Sequence, residues 1–524
     1  MIIIAEAVLI LHSLFFSTEL FRIAAVLSAL FALFSISFGK FNSRRFFLFS
    51  ALALGGITSV LFGTAPGPSA EAIGILLGAW GWYSLGSLRN SENKFNIHLG
   101  FCSAVTAVLL AMLSALQFLI TERPSSLWWL SPIDFGITML IVGFYGLKSI
   151  NNSKWKFAYI LILASSIALT SSRGILAAFI AGIFIISDIS FKRRALLIII
   201  ALTISLPIII KRISNDPFAW NRTRIYACAL NLIEERPLAG WGLGSFDAVS
   251  QRAQLPDPTE IRRMRTPIHA HNDALQILAE LGIPIGSAVI AEFILAWALL
   301  YRKRQQVEFA IVTSLFVVSL FYFPFQLALP LFSVMFCLGA GLDSGFFQRN
   351  VNPFILPAMA LLVYAYGMIV NDPSIAIFDA RLAITKMQNA VGVKRMIELE
   401  PQRPESYLNL GIFTAQTGNS SSTIYAFEKA VGLAPTRTAI RFDLAQAWLW
   451  HSTFLNSHQE SEHARKIAMC HMGLIRAIEP LSLAGLDAAG DTIGFMLASS
   501  ILDRIEISSG SSADVKPLRR RLEF

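Results

Sequence analysis

The sequence predicts an all-α protein: a polytopic transmembrane helical bundle of about 12–13 spans, with one large external loop and a C-terminal α-helical repeat domain. Three observations lead there. Of 524 residues, 55% are hydrophobic and only 15% charged, where soluble chains carry roughly a quarter charged residues. The apolar residues come in charge-free blocks of about 16 to 22, the length that hydrocarbon thickness asks of a helix. After Asn371 the composition turns abruptly mixed and polar.

Spans are expected near 2–17, 21–38, 46–63, 71–88, 97–120, 133–148, 157–171, 174–187, 195–210, 283–300, 307–323, 326–342 and 353–370. The first block lacks the basic start and small-residue cleavage site of a leader, so it reads as a retained helix. Basic clusters (Lys40/Arg44/Arg45, Arg89/Lys94, Lys148/Lys154/Lys156, Lys192/Arg193/Arg194, Arg302/Lys303/Arg304 and Arg349) follow every even-numbered span. The positive-inside rule makes those junctions and the N-terminus cytoplasmic and the odd junctions external. The net charge of +9 is accounted for by these short loops, and nucleic acid is not an expected partner. Cys102, Cys228, Cys337 and Cys470 are scattered, and no cysteine–histidine spacing suggests a metal site.

The organisation is therefore 1–210, nine spans; 211–282, the external loop; 283–370, four more spans; and 371–524, an external helical domain. In the last, Tyr407, Leu410, Gly411, Gly418, Phe427, Ala430 and Pro435 occupy the offsets of a 34-residue helix-turn-helix unit. Pro401 lies 34 residues before Pro435. The pattern resembles the tetratricopeptide repeat, with Thr423 where a small Ala is usual and an insertion expected around Ser452–Glu462 in the next unit. Such a domain suits contact with a protein partner on the external side. His451, His458 and His463 read as solvated surface, and the Ser508–Phe524 stretch as a tail.

The residues that suit chemistry lie at the external rim. Arg173, in the Ser171-Ser172-Arg173-Gly174 junction, reads either as an interfacial snorkelling arginine or as an anion contact. The loop opens with Arg212, Arg222 and Arg224, then a helix over Ile225–Glu235, then the turn Gly240-Trp241-Gly242-Leu243-Gly244-Ser245-Phe246, read as flexible and able to close over a site. No strand precedes these glycines, so a nucleotide cradle is set aside. Arg262, Arg263 and Arg265 lead to His269 and His271, after which Asn272 or Asp273 caps a helix that Gly282 stops and Pro284 restarts. Positive surroundings and the helix dipole favour a neutral His271. A neutral histidine among arginines suits deprotonation of a hydroxyl beside a pyrophosphate; a cap or surface role is the plainer alternative. Glu234, Glu235, Asp247 and Asp273 are candidates to orient an arginine or the histidine.

Three segments, taken together, resemble the O-antigen ligase and polymerase superfamily: Ser172-Arg173-Gly174; Pro237-Leu238-Ala239-Gly240-Trp241-Gly242-Leu243-Gly244-Ser245-Phe246; and His271-Asn272 followed by Leu275-Gln276, Glu280-Leu281-Gly282 and Gly286. The resemblance covers roughly residues 20–345. It implies a bacterial inner-membrane protein that transfers a glycan from a polyprenyl-pyrophosphate donor on the periplasmic side, with inversion and with neither metal nor other cofactor. On that pattern His271 matches the functional histidine and Arg173 the arginine of the Ser-Arg-Gly element. An arginine early in the loop is also implied, for which both Arg224 and Arg222 qualify. Arg265, Arg212, His269, Asn272 and Glu280 are expected substrate contacts. The acceptor is lipid A-core in a ligase, a growing O-antigen, capsule or exopolysaccharide in a polymerase, or protein in an O-oligosaccharyltransferase. A transporter or flippase is the alternative of a different class; it calls for charges deep in several spans, whereas most charges here lie at the rim.

Overall fold

The computed structural model describes residues 41–42, 50–88, 93–121, 131–186, 190–215, 222–255, 267–303, 305–341, 348–349 and 391–478. The expected spans at 2–17, 21–38 and 353–370, Arg262, Arg263, Arg265 and the C-terminal tail lie outside these residues.

Each of the other ten expected spans coincides with a helix: α1 (Ser50–Phe62), α2 (Pro66–Leu88), α3 (Asn93–Thr121), α4 (Pro132–Gly146), α5 (Ser153–Leu169), α6 (Arg173–Ile185), α7 (Phe191–Asn215), α9 (Asp273–Arg302), α10 (Gln306–Ser319) and α11 (Ala328–Gly341). Within the loop lies α8 (Arg222–Glu235). His98–Thr121 and Asp273–Arg302 are long and apolar enough to cross a membrane; Ser50–Ser59, Arg173–Ile185, Gln306–Ser319 and Ala328–Gly341 are apolar but shorter. One side of α3 presents Phe101, Val105, Leu109, Met112, Leu116 and Leu119 outward at intervals of three and four residues, with Leu119 77% exposed. The opposite side packs Ala107 and Leu110 into a continuous core with Trp82, Phe135, Phe144, Phe179 and Phe332.

Two boundaries differ from expectation. The helix reckoned to end at residue 210 runs on as α7 to Asn215, so Arg212 sits on a helical turn and not at a loop start. The span expected to reach 323 ends as α10 at Ser319. The apolar run continues through Phe321-Tyr322-Phe323, but Pro324 cannot donate within a helix, and the chain passes through the short 3-10 turn Pro324–Gln326 into α11.

Contacts between junctions obey the parity read from the basic clusters. At one end Lys148 pairs with Glu308, Gly100 lies against Ser149, and Phe41–Asn42 pairs with Gln348–Arg349, all joining even junctions. At the other, the Thr64 amide donates to the Trp241 carbonyl (3.0 Å), Gly174 lies against Phe321, and the Tyr322 hydroxyl reaches Asp134 (2.9 Å), all joining odd junctions.

The C-terminal region forms antiparallel helices: α12 (Val391–Leu399), α13 (Pro404–Gln416), α14 (Ser420–Leu433), α15 (Thr438–Ser452) and α16 (His458–Ile478). The starts of α13 and α15 are 34 residues apart, as the spacing predicts. Gly411 lets the Phe427 ring close on its backbone. Thr423, in the small-residue position, is buried and satisfied, its hydroxyl donating to the Asn419 carbonyl (2.8 Å) and lying 3.1 Å from the Thr414 hydroxyl. The extra length expected as an insertion is taken up as helix: α16 has 21 residues against 14 in α14. His458 and His463 are exposed, but His451 is half-buried and bonded to Ser420 (2.8 Å), which corrects its assignment to the surface.

Candidate functional site

The glycine turn is a lock, not a hinge. The Trp241 amide donates to the Ala279 carbonyl (3.1 Å), the Gly242 amide to the Glu280 carbonyl (2.8 Å), and the Ile283 amide to the Pro237 carbonyl (2.7 Å). On its other side the Leu243 amide donates to the Ser59 hydroxyl (2.9 Å), and the Ser69 hydroxyl donates to the Leu243 carbonyl (2.9 Å). Gly240 (φ 65°) and Gly282 (φ 74°) lie so close to each other's backbone segments that a Cβ on Gly240 would strike the Glu280 carbonyl, and one on Gly282 the Leu238 carbonyl. Gly282 also breaks α9 at a kink into 273–281 and 283–302, the stop and restart the sequence predicts. The expectation of a closing flap is therefore corrected: paired backbone groups fix this turn between α9 and the α1–α2 junction.

Glu280 belongs to the same lock. It is buried and accepts from the Gln276 side chain (2.9 Å) and the Gly244 amide (2.9 Å), so its expected substrate contact gives way to a structural one. Asn272 is the cap of α9, its Oδ1 accepting from the Leu275 amide (3.1 Å) while Nδ2 donates to the Leu320 carbonyl (3.3 Å). Both ends of that side chain are committed, which leaves little for a substrate.

His271 is held at the mouth of α9 in the left-handed region, φ 53°. For a residue with a Cβ this costs about 1–3 kcal/mol. Among the described residues one other non-glycine residue has positive φ: Ser171 (φ 53°), two before Arg173. One backbone outlier is thus a motif residue itself, His271, and the other lies two residues before the second, Arg173. The His271 ring packs edge-on against Phe323 (5.2 Å) and obliquely against Tyr322 (5.8 Å). Its Nδ1 is buried with no hydrogen-bond partner among the described residues. Burial, then the positive charge of Arg222, then His269 lower its pKa to about 4, so the ring is neutral at pH 7. His269 stacks on Phe323 (3.9 Å) and lies 3.4 Å from the Gln276 side chain. Burial takes its pKa to about 4, against a smaller raising effect of that contact.

α8 begins three residues earlier than the sequence suggested, which puts Arg222 and Arg224 in its first turn with no acidic residue there. Cations at a helix N-terminus oppose the macrodipole. Two of them at one helix N-terminus, with no acidic residue in that turn, make an anion-attracting corner. The Arg222 guanidinium donates to the Phe321 carbonyl, and its charge reaches His271. Of the two arginines, Arg222 is the one placed at the histidine; Arg224 sits half-buried on the same turn.

The wall of the site that sequence reasoning missed is Leu320–Gln326. The Tyr226 hydroxyl is shared between the His271 (3.4 Å) and Leu320 (3.3 Å) carbonyls, and the Phe325 amide donates to Asp273 Oδ2 (3.1 Å). Gly174 packs on the Phe321 side chain, which brings the exposed Arg173 junction alongside. Tyr322 donates to Asp134 Oδ1 (2.9 Å), and the Ser131 hydroxyl to Asp134 Oδ2 (2.7 Å). The signal was present as Ser131-Pro132-Ile133-Asp134, a capping pair at an external junction, and as an aromatic run with a proline. Of the carboxylates expected to orient the site, Glu235 pairs with Arg252 (2.8 Å) and Asp247 with Arg403 (2.6 Å), Glu234 is exposed, and Asp273 alone stays at the site, where it holds the Phe325 amide of the wall. Among the described residues no group of three or more His, Cys, Asp or Glu is arranged to hold a metal ion. Arg212 lies on α7 and Arg265 outside the described residues.

Residues 158–290 match the family model described as O-antigen ligase. That segment contains Arg173, Arg222, Arg224, the glycine lock and His271, and excludes Asp134 and Tyr322. Comparison with curated proteins finds no match.

Proposed function

We propose that this chain is a membrane-embedded glycosyltransferase that moves a glycan from a polyprenyl-pyrophosphate donor to an acceptor hydroxyl, in the manner of an O-antigen ligase with lipid A-core as acceptor. The observation that carries the reading is His271: strained, neutral and beside Arg222, inside the segment that matches the O-antigen ligase family. The imidazole takes the proton of the acceptor hydroxyl as its oxygen attacks the anomeric carbon from the face opposite the leaving group. The C1–O bond to pyrophosphate breaks, its electron pair stays on the pyrophosphate, and the configuration inverts. Arg222, Arg224 and Arg173 stabilise the charge that develops there, with neither metal nor nucleotide sugar. The outward stripe Phe101–Leu119 of α3 suits hydrocarbon, and the odd junctions that carry the site suit the periplasmic side of a bacterial inner membrane.

A polymerase joining O-antigen, capsule or exopolysaccharide units uses the same donor and the same chemistry. The helical domain packed on the loop, which a simple ligase does not need, favours keeping that second reading; protein O-glycosylation is its variant. Deleting the gene and analysing lipid-linked glycans separates them. Full-length glycan accumulating on the polyprenyl carrier, with bare lipid A-core, supports the ligase. Single repeat units accumulating supports the polymerase, and unchanged glycan lipids overturn both.

A further inference from the structure

The helical domain and the loop meet through charged and polar side chains. Arg403, the residue before α13, donates to Asp247 Oδ2 (2.6 Å) and pairs with the buried Glu400. Glu405, in the first turn of α13, accepts from the Gln251 amide at 3.0 and 3.2 Å and pairs with Arg437, the residue before α15. Arg437 also donates to Gln251 Oε1 (2.9 Å), and the Thr436 hydroxyl to the Gln254 carbonyl (3.2 Å). Two successive repeat units therefore grip one short piece of loop, 247–254, at the leading ends of their first helices. Both partners of each pair are about a third exposed or less, so these bonds are less screened than ordinary surface pairs.

The gripped segment leads directly to the site. Phe246, Val249 and Ala253 pack in one core with Cys228, Ala229 and Leu232 of α8 and with Ala270 and Ala279. The Cys228 thiol reaches the Ser250 carbonyl (3.1 Å), and the Asn231 amide the Ala253 carbonyl (3.4 Å). The other end of α8 carries Arg222 and the Tyr226 that bonds the His271 carbonyl. A helix of 14 residues thus has the gripped segment packed along one stretch and the arginine at its tip.

We propose that the C-terminal helical domain is a positioning element of the arginine–histidine site: by fixing 247–254 it fixes the rotation and height of α8, and so where Arg222 stands relative to His271. This face of the domain is occupied by its own chain, and a foreign protein partner would have to use another. The proposal rests on the transferase reading for its functional half and on geometry alone for its structural half.

The test uses the full-length protein in detergent, with hydrogen–deuterium exchange and glycan transfer measured in parallel. Glu405→Arg faces Arg437 and Arg403 with a third cation. It is expected to speed exchange at 226–235 and 247–254 about tenfold or more and to lower the transfer rate at least as much. Glu405→Arg with Arg437→Glu restores the pair and should recover both. Asp247→Asn with Gln251→Ala loosens the grip from the loop side and leaves the helical domain's own residues untouched. Rapid exchange confined to 247–254, with α8 at its original rate, overturns the proposal, as does unimpaired transfer once α8 has loosened. Where the unaltered protein transfers no glycan, the transferase reading fails, and the exchange at α8 alone decides the positioning.

Discussion

Two parts of one loop are built on opposite principles. In the glycine lock, the amides of Trp241, Gly242, Leu243 and Gly244 each find an acceptor, and the positive φ angles fall on glycines that adopt them without strain. Around His271 the positive φ falls on a residue with a side chain, a ring nitrogen is left orphaned, and two arginines sit at a helix end that repels cations. The first arrangement is satisfied bond by bond; the second carries a strained backbone and an unpartnered buried nitrogen, the features that mark a candidate site. The lock ties the stretch of α9 that lies beyond it, at Ala279–Glu280, to the turn at Trp241–Gly242.

The largest effect should come at the strained part. His271→Ala is expected to lower transfer by roughly 10²–10⁴-fold with the thermal midpoint nearly unchanged. His271→Gly removes the same ring but accepts φ 53° freely, so it should be more stable than the alanine variant by about 0.5–1 kcal/mol and equally inactive. Equal stability of the two variants, measured by thermal unfolding in detergent, sinks the claim of strain; retained transfer in either sinks the role of the ring.

The lock should respond the other way round. Gly282→Ala drives a methyl group into the Leu238 carbonyl at a positive φ, where no flexible side chain can yield. A loss of about 3 kcal/mol or more is expected from the forced parting of two bonded backbone segments, with activity falling only because folded protein is lost. A variant that keeps its thermal midpoint yet loses transfer would place Gly282 in the chemistry and blur the distinction between the two regions.

The pH dependence sharpens the comparison at one residue. His271 has its pKa lowered from 6.5 to about 4, by burial first and by Arg222 second. The unfolded chain therefore binds more protons than the folded one between about pH 4 and 6.5, and stability drawn from this site rises with pH across that window and falls as the solution is acidified through it. Activity that needs the neutral ring should persist down to about pH 4. Arg222→Gln removes the second cause and is expected to move the acid limb of the rate profile upward, toward but not reaching 6.5, because burial remains. An unmoved limb would mean that Arg222 does not face the ring.

Much of this was legible in the sequence, and what was not failed for identifiable reasons. The alternation of basic clusters sorts the junctions into two sets, and the contacts between junctions described above each stay within one set. The spacing of Gly411 and Phe427 pointed to a pair of helices, α13 and α14, whose close approach puts that ring against the glycine backbone. His271 and Arg173 stood out as charged or titratable groups at apolar boundaries. Flexibility, by contrast, was misread at Gly240–Gly244: glycine permits both a hinge and a close backbone approach, and only the facing backbone at Glu280–Gly282 in α9 decides between them. The Leu320–Gln326 wall was hidden because Phe321-Tyr322-Phe323 has the hydropathy of a span, and its bonds join residues up to 188 positions apart.

That hidden wall gives the smallest expected effect. Tyr322→Phe keeps the ring against His271 and Phe323 but removes the hydroxyl that donates to Asp134 Oδ1 at 2.9 Å. Asp134 keeps its bonds from the Ser131 hydroxyl and from its own amide to that side chain, so the carboxylate is not stranded. The cost should be about 1 kcal/mol of stability, that of one hydrogen bond whose acceptor retains other partners, and transfer should fall by a few-fold at most. Asp134→Asn in the same position keeps an acceptor for Tyr322 and should cost less than Tyr322→Ala, which removes the ring that packs on His271. If Tyr322→Phe instead abolishes transfer at unchanged stability, the hydroxyl acts on the reacting groups themselves, and the boundary of the site must be redrawn to include a residue outside the segment that matches the family.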